Sequence, residues 1–510
     1  MFSTVLSASV EGMFAQLVRV EADTSNGLPV FHMVGYLSSE VKEAGERVKT
    51  AVQNAGFILP AKKIVVNLSP ADIRKRGTCF DLPIAIAILS SLGVIQSEGL
   101  DHMMMIGELS LDGAVRAIPG VLPMVMEAKK TGVQYCFVPK ANLQEGELVE
   151  GITLIGVETL KEVCQILNGE RTGSNEKKET VREEREQKHL LDYREVKGQE
   201  LAKRATEIAV AGHHNLLMIG PPGVGKSLIA KRIPTILPPL TKSESMELTV
   251  LYSIMGSLDS NMPMIRERTF REVHHSVTPS ALIGGGMIPR PGEISLAHKG
   301  VLYLDELAEF PKSVIELLRQ PLEEKYIHIL RQRGEYVFPA DFLLVAAMNP
   351  CPCGNYPDRN RCMCTTAQIR NYLGKVSQPI LDRLDLCVEV ERVAYEELQV
   401  NEAEDSETIR KRIIRAREIQ EARFQGKSIL TNSQMSTKEI EQYCKLDANC
   451  KKMLKQAYVR LGMTARQYYK ILCVARTIAD LEQQEMIALR HLKEAISYRM
   501  IDQKYWGGTL

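Results

Sequence analysis

Gly220-Pro221-Pro222-Gly223-Val224-Gly225-Lys226-Ser227 fits the pattern G-x-x-x-x-G-K-S, and it follows the apolar run Asn215–Ile219 directly. Glycines at this spacing let successive backbone N–H groups converge on one anion, and a helix beginning at the lysine adds positive potential. Lys226 can then reach the outer phosphates of a nucleotide such as ATP, and Ser227 can ligate Mg²⁺. Downstream, the apolar run Val301–Leu304 ends in Asp305-Glu306, one carboxylate for the metal shell and one for a water beside the outer phosphate. A strand ending in Asp-Glu is on its own a common solvated strand end; after a phosphate loop it reads as the second half of a nucleotide site. Phe342–Met348 is a further apolar run that ends at Asn349, a polar group able to orient an attacking water. Leu381-Asp382-Arg383-Leu384-Asp385 leads into the run Leu386–Val390, where a structural ion pair is the alternative to a chemical role for Arg383.

The cysteines form a second chemical feature. Four of the 11 fall in Cys351-Pro-Cys353 and Cys362-Met-Cys364. Four thiolates suit tetrahedral Zn²⁺ in a structural site, and Gly354, Pro357 and Asn360 supply a turning loop between the pairs. Four reduced thiols packing a loop are the other reading.

These residues need a large scaffold. At 510 residues the prior is about three domains. Apolar residues at 45% and charged residues at 25% exclude a disordered, collagen-like or disulfide-scaffold chain. Lys+Arg of 64 against Asp+Glu of 63 means that any polyanion must be held by local basic patches. The longest apolar run, Leu82–Leu89, is far short of the roughly 20 residues needed to cross a bilayer. The N-terminus has no positive charge before Arg19, unlike a secretory signal, so a cytoplasmic protein is expected, with no membrane partner.

Residues 1–170 alternate strand and helix signals, as a compact α/β domain does. Ala15–Val20 and Pro29–Val34 flank Asn26-Gly27, the signature of a hairpin. A helix over 38–56 carries Val41, Ala44, Val48, Ala51 and Ala55 on one stripe and stops at Gly56. Strand Lys63–Leu68, an apolar helix from Phe80, strand Met103–Ile106 and helix 121–131 follow, then strands 133–138 and 152–156 and helix 159–168. Residues 171–189 are almost wholly polar and charged, which predicts a solvated linker or an exposed charged helix. Residues 190–395 form a second α/β segment, and 396–510 are mostly helical, with Ile409, Ile413, Ala416 and Ile419 on one stripe.

With these motifs in this order, the chain resembles the magnesium-chelatase-like AAA+ ATPases of the ComM/YifB type. The resemblance extends to His274-His-Ser-Val-Thr-Pro-Ser-Ala-Leu-Ile-Gly-Gly-Gly286, Arg290-Pro-Gly-Glu-Ile-Ser295 and Gly462-Met-Thr-Ala-Arg466. It implies an α/β fold: a Lon-protease-like (ribosomal S5-like) N-terminal domain, an AAA+ P-loop core and a helical C-terminal lid. It makes Lys226 and Ser227 Walker A, Asp305 and Glu306 Walker B, and Asn349 sensor 1. Arg383 becomes the arginine finger acting on a neighbouring subunit, and Arg466 sensor 2, with Arg476 the second candidate. A finger supplied in trans implies a ring, a homo-hexamer in this family. The family is associated with ATP-driven translocation on single-stranded or branched DNA, and with branch migration beside recombination proteins during natural transformation.

Arg76-Gly-Thr-Cys79-Phe-Asp81-Leu-Pro and Gly107–Gly120 resemble the proteolytic domain of Lon. The Ser position of Lon falls here on Cys79 and the Lys position on Leu122. Leu122 cannot activate a thiol, so the domain is expected to be a scaffold without protease activity. By the same resemblance, 271–295 is a helix-2 insert, and Tyr326–Phe338 is a hairpin with Arg331 and Arg333 near its tip, both facing a central channel. There Arg331 and Arg333 would track DNA phosphates. For His274 and His275 the readings are metal ligation or positioning of the insert, the second being favoured for want of a third ligand. A chelatase ATPase subunit and a protein-remodelling chaperone are the competing functions. The D-x-S-x-S metal-adhesion motif of chelatase partners is absent from the sequence.

Overall fold

The computed structural model describes residues 2–96, 98–170, 191–259, 262–287, 289–331, 334–399 and 404–507. The charged segment 171–189 and Arg333 therefore lie outside the described residues. The chain divides into two compact units.

The first unit holds a seven-stranded sheet. From edge to edge the strands are Val30–Val34, Lys63–Ser69, Phe14–Ser25, Phe2–Glu11, Met103–Met105, Tyr135–Pro139 and Thr153–Val157. Helix Ser39–Asn54 begins at Ser38, whose hydroxyl accepts the N–H of Val41, and Gly56 beyond its end has φ 90°. Helix Asp81–Ser91 is buried on every side, as its unbroken apolar run requires.

Two expectations fail here. Phe14–Ser25 and Val30–Val34 do not form a hairpin. Lys63–Ser69 lies between them, antiparallel to the first and parallel to the second. Lys63–Ser69 has Ile64, Val66 and Leu68 buried in alternation, which suits an interior strand. Val30–Val34 is exposed or half-buried throughout and suits an edge. The true hairpin joins Phe14–Ser25 to Phe2–Glu11, from Phe2 opposite Asp23 to Glu11 opposite Phe14. No strand was expected before Ala15, because Ser3, Ser7 and Ser9 are buried together with Val5 and Ala8 and blur the polar–apolar alternation.

The first unit also takes in residues 241–266, which follow the phosphate loop in sequence. Helix Lys242–Met255 opens with a capping box of Thr241 and Glu244. Its buried Ser253 donates to Glu145 Oε1 at 2.5 Å, and the Ser253 carbonyl accepts the N–H of Gly120 at 2.9 Å.

The second unit is built on a parallel five-stranded sheet in the order Phe270–Val273, Val301–Leu304, Leu343–Met348, Leu216–Ile219, Leu386–Glu389. All five strands are short, and four are almost wholly buried, as parallel strands covered on both faces must be; the edge strand Phe270–Val273 buries only Val273. The helices Ser406–Arg423, Ala465–Leu481 and Leu489–Trp506 follow. The first buries Ile409, Ile413 and Ala416, but Gln420 takes the place expected for Ile419, its amide donating to the Ala211 carbonyl at 3.0 Å. Among the described residues no helix is long and apolar enough to cross a membrane.

Candidate functional site

Strand register assembles the site. Ile219 lies opposite Met348, and Leu304 opposite Ala346. Gly220, Asn349 and Asp305 therefore leave the carboxyl ends of three adjacent parallel strands side by side, the place where open α/β sheets bind ligands. Gly220 must be glycine for reasons of space, since a Cβ there would sit 2.2 Å from the Val390 carbonyl oxygen. Gly223 and Gly225, with φ of 77° and 94°, take the left-handed conformation that turns the loop back.

The side chains of the phosphate loop meet those of the other two strands. Lys226 Nζ donates to the carbonyls of Gly220 at 2.7 Å and Pro221 at 2.8 Å, and to Asn349 Oδ1 at 3.2 Å. Ser227 Oγ donates to Asp305 Oδ2 at 2.7 Å and receives the Tyr303 hydroxyl at 3.3 Å. Burial pulls the Lys226 ammonium down to about 8, against the opposing pull of Asp305 and Glu306. Ser227 and Asp305 together offer hard oxygen ligands at one point, which fits Mg²⁺.

Glu306 is exposed and sits at φ 51°, a left-handed conformation for a non-glycine residue. Its Oε2 is 3.7 Å from Nδ1 of His275. The sequence reading treated His275 as part of the insert and missed this neighbour. Phe270–Val273 pairs with Val301–Leu304, Val273 opposite Leu304, so two residues further on each strand His275 comes beside Glu306. The signal was in the pairing and not in either strand alone.

Arg383 is 7% exposed. Its guanidinium holds Glu323 Oε1 at 2.7 Å and the carbonyls of Pro379 at 2.6 Å and Arg319 at 3.2 Å. Arg466 reaches the same Glu323 oxygen at 2.7 Å. Two arginines thus converge on one carboxylate, which they hold below the usual carboxylate range against the opposing effect of burial. The segment carrying Arg383 is fixed by Asn215, whose amide donates to the Arg383 carbonyl at 3.0 Å and whose N–H donates to the buried Asp385 at 2.9 Å. Arg476 lies elsewhere, buried on Asp480 together with Arg423 and Asn432, in a structural network.

A cavity of about 410 Å³ adjoins the phosphate loop. It is lined by Pro222–Gly225, by Glu195–Lys197 and Gln199, and by Arg392 and Val393. The sequence reading named none of the lining residues outside the loop, because they come from segments with no motif.

The four cysteines come together, all Sγ atoms lying within 4.8 Å of one another. Cys351 is 3.4 Å from Cys353 and 3.7 Å from Cys362, and Cys353 is 3.6 Å from Cys362. Sulfurs about 2.3 Å from a tetrahedral zinc stand about 3.8 Å apart, so the set is compatible with that ion. On the hairpin strands Tyr326–Arg331 and Gly334–Pro339, Arg331 is exposed. His274 accompanies His275, ring centroids 4.0 Å apart, with Ser276 Oγ at 2.9 Å from its Nδ1.

Comparison with known proteins shows the family. Residues 192–398 match the family described as magnesium chelatase, subunit ChlI; residues 20–142 match subunit ChlI of Mg-chelatase, and residues 403–499 its C-terminal part. The chain is 42% identical over 98% of its length to a protein of Escherichia coli (strain K12) named uncharacterized protein YifB, covering 97% of that protein. It is also 42% identical, over 97% of both chains, to competence protein ComM of Haemophilus influenzae. A shorter likeness, 31% over 126 residues, covers 24% of this chain and 22% of Lon protease 2 of Bacillus subtilis.

Proposed function

Because this chain belongs to the magnesium-chelatase ChlI family of AAA+ ATPases, we propose that it is an ATP-hydrolysing motor that assembles as a hexameric ring and translocates on DNA. Branch migration of recombination intermediates is the activity this reading favours. The observation that carries its ATP-hydrolysing part is the meeting of Lys226, Ser227, Asp305 and Asn349 at the ends of three adjacent strands. The competence name of one close relative supports a DNA substrate.

In this reading Lys226 exchanges the Gly220 and Pro221 carbonyls for phosphate oxygens of ATP. The cavity beside Pro222–Gly225 takes the base and ribose. Ser227 and Asp305 hold Mg²⁺, which neutralises charge on the phosphates. Asn349 orients the attacking water and Glu306 accepts its proton. His275, within the insert at 271–295, keeps the Glu306 carboxylate in contact with that insert. Arg383 serves the neighbouring subunit's ATP and Arg466 its own, with Glu323 storing both side chains until nucleotide arrives. Residues 1–170 act as a scaffold, 171–189 as linker, 190–395 as motor core and 396–510 as lid. Arg331 and Arg333 of the hairpin track the DNA backbone.

The decisive experiment measures ATP hydrolysis with no DNA, with single-stranded DNA and with a branched junction. Stimulation by DNA is expected. A rate indifferent to every DNA would reject the translocase and favour remodelling of a protein partner.

A further inference from the structure

Gly354 is where the cysteine loop meets the phosphate loop. It is buried, its φ is 77°, and a Cβ at this position would lie 2.4 Å from Cδ of Pro222. Its N–H donates to the Cys351 carbonyl at 2.9 Å, which ties the contact to the first cysteine. Cys351 is also two residues from Asn349, whose side chain holds Lys226. Two routes therefore run from the cysteine cluster to the phosphate loop, one through space at Pro222 and one along the chain to Lys226. Pro222 itself lines the cavity beside the loop.

The cysteine loop is held by local turns, not by regular secondary structure. Residues 357–361 are all exposed, and no helix or strand lies between Cys351 and Cys364. Its other supports are short-range turns and contacts: the N–H groups of Cys362 and Arg361 donate to the Asp358 carbonyl at 2.8 and 3.1 Å, Asp358 N–H donates to the Asn355 carbonyl at 3.0 Å, and Arg359 donates to the Cys364 carbonyl at 3.4 Å. The Tyr356 N–H points at Cys351 Sγ at 3.4 Å, the Tyr356 ring meets Tyr505 edge-on at 6.0 Å, and Asn355 donates to the Cys353 carbonyl at 3.2 Å. A metal joining four positions of such a loop removes most of its conformational freedom. The phosphate loop, with glycines at 220, 223 and 225, is also costly to order, so a rigid neighbour at Pro222 lowers the entropy lost when phosphate binds.

We propose that a metal ion held by Cys351, Cys353, Cys362 and Cys364 fixes the phosphate loop through Gly354 and Pro222, so that nucleotide affinity depends on occupancy of the cysteine site. The inference rests on the nucleotide reading given above. Its test uses the full chain in reducing buffer with Mg²⁺. Metal content is measured by mass spectrometry and the Kd for a fluorescent ATP analogue by titration. Three samples are compared: protein as purified, protein stripped by a zinc-selective chelator and then reloaded with Zn²⁺, and Gly354→Ala.

Stripping should weaken nucleotide binding at least tenfold, and Zn²⁺ should restore it. Gly354→Ala should keep its metal and still bind several-fold more weakly, because the new Cβ displaces Pro222. If stripping unfolds the chain, as followed by circular dichroism, Cys353→Ser, which leaves three ligands, takes the place of the stripped sample, and an unchanged Kd at lowered metal content overturns the coupling. Binding within twofold of wild type in both altered forms would overturn the coupling. So would weakening in Gly354→Ala alone while stripped, folded protein binds normally, since the metal would then have no part. Metal-loaded wild type that binds no nucleotide would instead overturn the nucleotide reading itself, and the coupling with it.

Discussion

The two units each contain a stretch resembling the catalytic sequence of an enzyme, and they differ in what surrounds the key side chains. In the second unit Lys226, Ser227, Asp305 and Asn349 share hydrogen bonds at strand ends, beside a cavity. In the first unit Cys79 is buried, and its thiol points at the carbonyls of Ala8 at 3.6 Å and Arg76 at 3.8 Å. Burial pushes its thiol far above the ordinary range, and neighbouring Asp81 pushes in the same direction. Asp81 is itself paired, with Arg47 at 2.9 Å. Leu122, at the position where Lon has its lysine, is buried, and its N–H donates to Glu145 at 3.0 Å. The contrast teaches that a scaffold survives on apolar packing and backbone hydrogen bonds, whereas its chemistry requires a charge that can reach the nucleophile.

The largest test of this contrast lies at Arg383. Arg383→Ala should lower hydrolysis by about 10³–10⁵-fold while leaving nucleotide binding intact, as expected for an arginine that meets the transition state in trans. Mixing it with Lys226→Ala should recover part of the activity at interfaces pairing an intact loop with an intact arginine. Glu323→Gln, which removes the charge both arginines share and leaves Arg383 its Pro379 and Arg319 carbonyls, should retain activity. An equal loss in Glu323→Gln would make the Arg383–Glu323 pair structural, and the active site would lose its expected contribution from a neighbour.

Glu306→Gln comes next. It should bind ATP normally but hydrolyse it about 10²–10⁴-fold more slowly, since it removes a general base and not a phosphate ligand. A wild-type rate in single-turnover measurements would show that Glu306 is only a strand end.

Smaller still is the effect of pH on nucleotide binding. Burial holds free Lys226 at about 8, and the protonated form is the one that meets phosphate. Affinity should therefore be full below that value and fall as pH rises through it, by about tenfold between pH 7 and pH 9. A flat profile of Kd over this range would mean that Lys226 stays charged in the free site.

The smallest effect is expected in the first unit. Cys79→Ala should leave DNA-stimulated hydrolysis within about twofold of wild type and cost stability on the order of 1 kcal/mol for the lost packing. ATP-dependent cleavage of casein that vanishes in this variant would abolish the contrast between the units.

Contiguous features were legible in the sequence. Helix Ser39–Asn54 with its cap and the phosphate loop between strand and helix fall within a residue or two of where spacing and composition put them. So does the strand leading to Asp305. Features that depend on partner choice were not. A turn signal at Asn26-Gly27 cannot say that Lys63–Ser69 will insert beside Phe14–Ser25, because that competition is decided by which strand has more apolar surface to bury. Nor does local periodicity reveal that residues 241–266 pack with the first unit.

The sequence by itself determined which groups the nucleotide site contains and in what order they come, because a strand, a glycine loop and a helix start are set by neighbouring residues. Tertiary structure alone decided that His275 stands beside Glu306, that Arg383 and Arg466 share Glu323, and that Gly354 presses on Pro222. Each of those contacts joins segments far apart in the chain. Strand register and the burial of whole faces set such distances, and no window of sequence contains both partners.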